Sequence, residues 1–138
     1  MTARGHKPER FEIALDNRSG VPVYRQIIDR VTAGIACGAV RGGDQLPTVR
    51  QLAVDLSINP NTVIRAYREL EIRGIIDTQQ GTGTFISEDS PAPDKAERQR
   101  MLAQLAGECA ARAGAAGFTL EELIQQLVSL DQPEKRKK

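Results

Sequence analysis

Aromatic side chains are scarce in this sequence and tryptophan is absent, so that aromatic residues make up only 4% of the 138 positions. Proteins that bind single-stranded nucleic acid stack its bases on exposed aromatic rings. A chain with so few rings has little from which to build such a platform. The composition therefore argues against a single-strand-binding protein.

Metal ligands and thiols are equally few. His6 is the only histidine, and the two cysteines, Cys37 and Cys109, lie far apart in apolar surroundings. Neither cysteine has the spacing of a metal site, so we expect no metal and no cofactor. The simplest interpretation is a reduced cytosolic chain with Cys37 as a buried structural thiol, and a redox role for either cysteine stays open.

Long apolar runs and an excess of one charge are also missing. No segment is long enough to cross a bilayer and the N-terminus lacks a signal-peptide core, so we expect no membrane partner and a cytoplasmic location. The net charge is only +1, so any surface for nucleic acid must be local. We find no nucleophile elbow, phosphate-binding glycine loop or histidine-based acid–base pair, and therefore expect no enzymatic activity.

The periodicity of apolar residues predicts a mostly α-helical protein with a small β-hairpin. The first helix is expected within 21–40, with Tyr24, Ile27, Ile28, Val31 and Ile35 at helical spacing. Thr48 and Gln51 match a capping box at the start of the second helix. A helix from about Asp94 to Ala113 is expected to break at 114–117, and Thr119 and Glu122 match a capping box at the start of the last helix. We divide the chain into a leader (1–10), a helical and hairpin domain (11–87, opening with a short strand or extended lead-in), a linker (88–93), a two-helix arm (94–130) and a charged tail (131–138).

The third predicted helix carries polar side chains along one face. Asn59 is suited to cap it and Pro60 to begin it, and Gly74 is expected to end it after about Arg73. Its core face would hold Val63, Ala66, Tyr67 and Leu70, and its other face Asn61, Arg65 and Arg68. Two surface arginines on a solvated helix would explain this pattern in isolation.

The surroundings of this helix favour DNA binding. A very short turn separates it from the second helix, which is the helix-turn-helix pattern, and the second helix of that pair enters the major groove by its N-terminal end. Asn and Arg pair bidentately with adenine and guanine edges. A hairpin with a Gly81 to Gly83 turn follows directly, as a wing does. A winged domain used only for protein contacts is the alternative, but it would not need donors on the outer face.

The segment "GDQLPTVRQLAVDLSINPNTVIRAYRELEIRGIIDTQQGTGTFI" resembles the DNA-binding domain of the GntR family of bacterial transcription regulators. The shared features are LP-T/S-x-R, the NTV start of the third helix, AY-x-x-LE-x-x-G and G-T-G-T-F, with "SGVPVYRQI" similar to the family's first helix. The resemblance implies a winged helix-turn-helix regulator that binds double-stranded operator DNA, and the short two-helix C-terminal part resembles the YtrA-type branch. We expect a repressor that binds a palindromic operator, because a helix-turn-helix dimer has two-fold symmetry. Many relatives in other branches carry Arg where this chain has Pro60, and often a second basic residue where it has Ile64, so their base contacts do not transfer to these positions.

On these grounds we assign candidate residues to DNA binding and to assembly. The DNA-binding set is Thr48, Arg50, Asn59, Asn61, Thr62, Arg65, Arg68, Gln80, Gly81, Thr82 and Gly83.

The arm is too small to be stable alone, so we expect it to complete its core in a homodimer. Its dimerisation set is Met101, Leu102, Leu105, Leu120, Leu123, Ile124 and Leu127. The alternative is that both helices fold back on the winged domain. The arm is also too short to enclose a large effector pocket. A small-molecule effector, whose identity the sequence does not give, would bind at the dimer interface or between arm and wing.

Overall fold

The computed structural model describes residues 12–88 and 94–130. The predicted leader (1–10), the linker beyond Glu88 and the tail (131–138) lie outside the described residues. The elements are α1 (Val23–Ala36), β1 (Gln45–Leu46), α2 (Val49–Leu56), α3 (Pro60–Ile72), β2 (Ile76–Gln79), β3 (Gly83–Ile86), α4 (Lys95–Ala115) and α5 (Leu120–Leu130). They form two compact units, one ending with β3 and the other comprising α4 and α5.

Three helices enclose the core of the first unit. The apolar faces predicted for α1 and α3 both contribute to it, because residues three and four apart share one side of a helix. Leu52 and Ala53 of α2 are buried beside them, with Val49 and Leu56 partly buried. The fully buried side chains of largest volume are Ile27, Ile28, Leu70, Ile76, Val31, Val40 and Val63.

The turn between α2 and α3 is as short as the sequence predicted. Ser57 adopts a left-handed conformation with φ 58°, and the Ile58 N–H donates to the Ala53 carbonyl at 3.0 Å. This pattern satisfies a carbonyl at the end of α2 while reversing the chain. Asn59 then caps α3, so only two residues separate the end of α2 from that cap.

Tyr67 joins the core of α3 to the segment before α2. Its hydroxyl donates to the Pro47 carbonyl at 2.7 Å, and only 6% of the residue is exposed. Burial raises the pKa of the Tyr67 phenol well above its usual value. The hydroxyl therefore stays protonated and able to donate, which fixes the start of α2 relative to α3.

The sheet has three antiparallel strands in the order β1-β3-β2, one more than the predicted hairpin. The additional strand is β1, in which Gln45 pairs with Phe85 and Leu46 with Thr84. Asp44, the residue before β1, makes two hydrogen bonds next to this pairing. Its carboxylate accepts from the Arg41 N–H at 2.8 Å, and its carbonyl accepts from the Ile86 N–H at 2.8 Å. Three helices followed by such a hairpin form a winged helix-turn-helix.

In the second unit, α4 and α5 pack against each other. Asp94 caps α4 by accepting from the Glu97 N–H at 2.8 Å. The predicted capping box of α5 is confirmed in both directions: Thr119 Oγ1 accepts from the Glu122 N–H at 3.1 Å, and Glu122 Oε1 from the Thr119 N–H at 2.9 Å. Neither helix contains a buried residue.

Four local details narrow or correct the prediction from the sequence. Residues 12–15 form no strand, although Ile13 and Leu15 pack on the core, which agrees with the alternative of an extended lead-in. Ile35 lies near the end of α1, as its helical spacing predicted, but is 37% exposed. Cys37, expected to be buried, is half-buried at the C-cap of α1. The glycine-containing break at 114–117 begins later than predicted, since α4 continues to Ala115.

Candidate nucleic-acid interface

The N-terminal end of α3 is built by its own sequence. The Asn59 side chain accepts from the Asn61 N–H at 2.8 Å, and its carbonyl accepts from the Thr62 N–H at 2.9 Å. Pro60 has no N–H to leave unsatisfied in the first turn. The helix thus begins sharply at Pro60, with Asn61 and Thr62 in its first turn.

The outer face of α3 presents the donors that the sequence placed there. Asn61, Arg65 and Arg68 are exposed, whereas the opposite face is buried in the core. Within the described residues, neither Arg65 nor Arg68 forms an ion pair, unlike Arg73, whose Nε lies 3.1 Å from a Glu69 carboxylate oxygen. The two guanidinium groups near the start and middle of α3 therefore keep their charge available for an external acceptor.

Arg65 lies against an aromatic ring from α1. Its guanidinium carbon is 3.8 Å from the centroid of the Tyr24 ring, well inside the range of a cation–π contact. The contact borders an open cleft of about 370 Å³ between α1 and the start of α3. The cleft is lined by Val23, Tyr24, Asn59, Asn61, Thr62 and Arg65.

Helix α2 contributes the next pair of predicted residues. Thr48 is its N-cap and accepts from the Gln51 N–H at 3.0 Å, which confirms the Thr48 half of the predicted capping box. Arg50, in the first turn of α2, is exposed and forms no ion pair with another described residue. Both residues lie outside the lining of the cleft.

The tip of the hairpin is a tight turn. The Thr82 N–H donates to the Gln79 carbonyl at 2.9 Å, with Gln80 and Gly81 between them. Gly81 has φ 79°, a left-handed conformation that glycine adopts without strain at the third position of a type II turn. Gln80, Gly81 and Thr82 are all exposed.

Gly83 begins β3 beside a side chain that the sequence did not indicate. Its φ is 138°, and an added Cβ would collide with the side-chain amide of Gln45. That amide donates from Nε2 to the Thr82 carbonyl at 3.3 Å, which ties β1 to the tip of the wing. Gly81 and Gly83 thus both have positive φ.

Asn59, Asn61, Thr62 and Arg65, all in the predicted DNA-binding set, line one cleft, but the aromatic residue beside them was not in that set. Tyr24 was placed only as a core residue of the first helix. Its ring is half-buried and contacts Arg65 across the fold, and no local pattern in either helix signals that contact. Within the described residues no cluster of His, Cys, Asp or Glu could hold a metal ion.

The sequence of this chain matches a known protein family. The profile of bacterial regulatory proteins of the gntR family matches residues 23–86. The sequence is 40% identical over 111 residues to the HTH-type transcriptional repressor YtrA of Bacillus subtilis, covering 80% of this chain and 85% of that protein. The chain belongs to the GntR family.

Two solved structures are similar to this GntR-family chain over most of its length. One is YtrA from Sulfolobus acidocaldarius, with a TM-score of 0.52, 32% identity, and coverage of 68% of this chain and 95% of the other. The second is a chain from Listeria monocytogenes described as a transcriptional antiterminator, with a TM-score of 0.66, 25% identity, and coverage of 88% and 91%. The first, with the curated YtrA relative, supports the YtrA-type branch.

Membership of this family makes the chain a DNA-binding transcription regulator. The winged helix-turn-helix and the donors at the start of α3 agree with that role. No helix in the described part of the chain is both long and apolar enough to span a membrane.

Proposed function

We propose that this protein is a homodimeric repressor that binds a palindromic operator, with one winged unit on each half-site. The observation that carries the proposal is the division of α3 into two faces. Its inner face is buried, while Asn61, Arg65 and Arg68 are exposed on the outer face, and neither arginine forms an ion pair with another described residue. Polar donors at the exposed start of such a helix are what reading of the major groove requires.

Each candidate residue takes a part set by its position. Asn61 and Arg65 lie at the leading end of α3 and would contact base edges, with Asn59 and Thr62 beside them. Arg68, one turn further along, would contact the DNA backbone. Thr48 and Arg50 lie at the start of α2, where a helix N-terminus favours a nearby phosphate.

The wing would approach the DNA backbone or the minor groove. Its tip is formed by Gln80, Gly81 and Thr82, and the small turn leaves little side-chain bulk between the peptide groups and a phosphate. Gly83 is the first residue of β3, the strand that follows the tip. We assign a function to each of the two predicted domains: residues 11–87 bind DNA, and residues 94–130 join two copies of the chain.

The arm supports dimerisation because it leaves large apolar side chains in water. Six of the seven candidate residues are between 48% and 62% exposed, and Leu123 is half-buried. A two-helix unit without a single buried residue cannot stabilise itself through its own core. Exposed apolar patches of this kind mark interfaces, and a second copy would supply two-fold symmetry for the operator. The exposed six are Met101, Leu102, Leu105, Leu120, Ile124 and Leu127.

Repression is favoured by the likeness to a curated repressor. A dimer on an operator that overlaps a promoter would exclude polymerase without any catalytic step, so we assign no enzymatic activity. Its DNA partner places the protein in the cytoplasm. The small-molecule effector stays a prediction, because no contact among the described residues bears on it.

Selection of duplexes with a randomised core, followed by titration of the enriched operator, tests the DNA-binding part. Arg65→Ala should weaken operator binding by about 1–3 kcal/mol and relax specificity at one base pair in each half-site. Arg50→Ala and Arg68→Ala, as backbone contacts, should weaken binding to all sequences alike and lower the salt slope by about 1. Arg73→Ala is the matched control, since Arg73 already pairs with Glu69. Unchanged affinity of folded Arg65→Ala would mean that Arg65 reads no base.

Sedimentation of the wild-type chain tests the dimer. We expect a dimer at micromolar concentration, and monomers after Leu123→Asp and Leu127→Asp are combined. Those monomers should keep a folded winged unit but bind a full operator far more weakly. The control combines Gln125→Asp and Gln126→Asp, which add the same charge to the same helix off the apolar stripe. A wild-type chain that sediments as a monomer would contradict the dimer and favour an arm folded back on its own winged unit.

A further inference from the structure

The contact between Arg65 and Tyr24 suggests a function for a residue outside the candidate DNA-binding set. Tyr24 lies in the first turn of α1, and its half-buried ring packs against the core. The Arg65 guanidinium lies over the face of this ring at 3.8 Å from its centroid. Tyr24 is thus anchored by the core on one side and holds a charged group at the cleft on the other.

A guanidinium group held by its flat face keeps its donors free. The N–H groups of arginine lie in the plane of the group, whereas a cation–π contact uses the face above that plane. Stacking on Tyr24 therefore restricts the rotamers of Arg65 without consuming the two parallel donors that a guanine edge accepts. The ordering is in place before DNA binds, so the entropy of fixing a long side chain is not lost on binding.

We propose that Tyr24 is a positioning residue that orients Arg65 to read one guanine in each operator half-site. The inference rests on the proposed function, because it assumes that Arg65 reads a base. It goes further in assigning part of the sequence specificity to a helix outside the helix-turn-helix. Tyr24 itself makes no base contact in this account.

The position of Asn61 on the same cleft supports this arrangement. Its backbone N–H is held by the Asn59 side chain, and its own side chain lines the cleft beside Arg65. The N-cap therefore fixes the backbone that carries Asn61, and the Tyr24 ring orders the Arg65 side chain. A side chain ordered before binding discriminates bases better, since a mismatched base cannot be accommodated by a change of rotamer.

The test compares full-length variants by selection from one pool of duplexes with a randomised core. The variants are wild type, Tyr24→Phe, Tyr24→Leu, Arg65→Ala and the double variant of Tyr24→Leu with Arg65→Ala. Tyr24→Phe keeps the ring, and Tyr24→Leu keeps an apolar side chain for the core but removes the aromatic face. Val23→Ala, which lines the same cleft, controls for general damage at the start of α1.

We expect Tyr24→Leu to lower the preference for guanine about twofold to fivefold, as loss of an exposed cation–π contact implies. The loss should fall at the one base pair whose preference Arg65→Ala abolishes, with the other positions unchanged. Tyr24→Phe should behave as wild type. The double variant should match Arg65→Ala alone, because Tyr24 acts only through Arg65.

Several results would overturn the inference. A uniform loss across all positions in Tyr24→Leu, equalled by Val23→Ala, would mean that Tyr24 only supports the fold. Sharper discrimination in Tyr24→Leu would mean that the ring holds Arg65 away from DNA. A loss in Tyr24→Phe as large as in Tyr24→Leu would assign the effect to the hydroxyl. If the wild-type chain enriches no symmetric motif, the proposed function fails together with this inference. If it enriches a symmetric motif and Tyr24→Leu enriches the same motif with the same preferences, only the role of Tyr24 is refuted.

Discussion

Removal of the Tyr67 hydroxyl should destabilise the winged unit more than the loss of one small group suggests. In Tyr67→Phe the Pro47 carbonyl loses a donor that now lies at 2.7 Å. A net hydrogen bond contributes about 0.5–1.5 kcal/mol, and a buried acceptor left unpaired costs about 1–3 kcal/mol. Pro47 is half-buried, so water can replace part of the lost bond. We therefore expect the free energy of unfolding to fall by about 1–2 kcal/mol.

Urea unfolding followed by tyrosine fluorescence measures this change in the full chain. The chain has no tryptophan and only two tyrosines, Tyr24 and Tyr67, both in the winged unit. Fluorescence therefore reports on that unit, while circular dichroism reports on all helices. With a denaturant slope of about 1 kcal/mol per molar, the midpoint should fall by about 1–2 M. The control is Tyr24→Phe, whose hydroxyl makes no hydrogen bond within the described residues and whose removal should shift stability by less than about 0.5 kcal/mol.

The same bond has a consequence for DNA binding. It fixes the segment that carries Thr48 and Arg50 relative to α3, so Tyr67→Phe should also weaken operator binding while folded. An unfolding midpoint equal to that of wild type would refute the reasoning, because it would show that water satisfies the Pro47 carbonyl fully. A lower unfolding midpoint with unchanged operator affinity would support the stability estimate, but it would show that this hydrogen bond does not position Arg50 for DNA binding.

Three further predictions follow from the geometry. Because the pKa of Tyr67 is raised in the folded chain, the unfolded chain releases the phenol proton from about pH 10 while the folded chain retains it. The free energy of unfolding should therefore fall as pH rises above about 10, and this fall should be absent in Tyr67→Phe. Asn59→Ala removes the cap of α3 and should cost about 1 kcal/mol by urea unfolding, whereas Asn59→Asp should keep most of it, and equal loss in both would argue against the cap. Gly83→Ala and Gly81→Ala both carry a backbone cost of about 1–2 kcal/mol, but only an added Cβ at Gly83 meets the Gln45 side chain. We therefore expect Gly83→Ala to weaken operator binding more than Gly81→Ala, and the reverse order of affinities would contradict this packing.

Much of the fold could be predicted because its signals are local. The Asn59 cap, the Pro60 start and the left-handed Gly74 lie within a few residues of the helix ends that they define. The buried faces of α1 and α3 follow from the helical repeat, as does the exposed outer face of α3. The predicted capping box of Thr119 and Glu122 was confirmed for the same reason.

The strand β1 could not be predicted in this way. It has two residues, and it is a strand only because Gln45 and Leu46 pair with β3, far along the chain. Neither residue carries a strand signal on its own. The exposure of Ile35 was missed for a related reason: helical spacing gives the direction of a side chain but not whether a neighbouring element covers it.

The sequence by itself determined the order of the elements, the ends of the helices and the polar composition of one face of α3. Hydrogen bonds of caps and turns span few residues, and amphipathic faces follow from the helical repeat. Only the tertiary structure decided that Tyr24 lies under Arg65, that Gln45 supports the wing and that Tyr67 reaches Pro47. These contacts join residues far apart in the chain, and they form because burial of a common core brings the elements that carry them together.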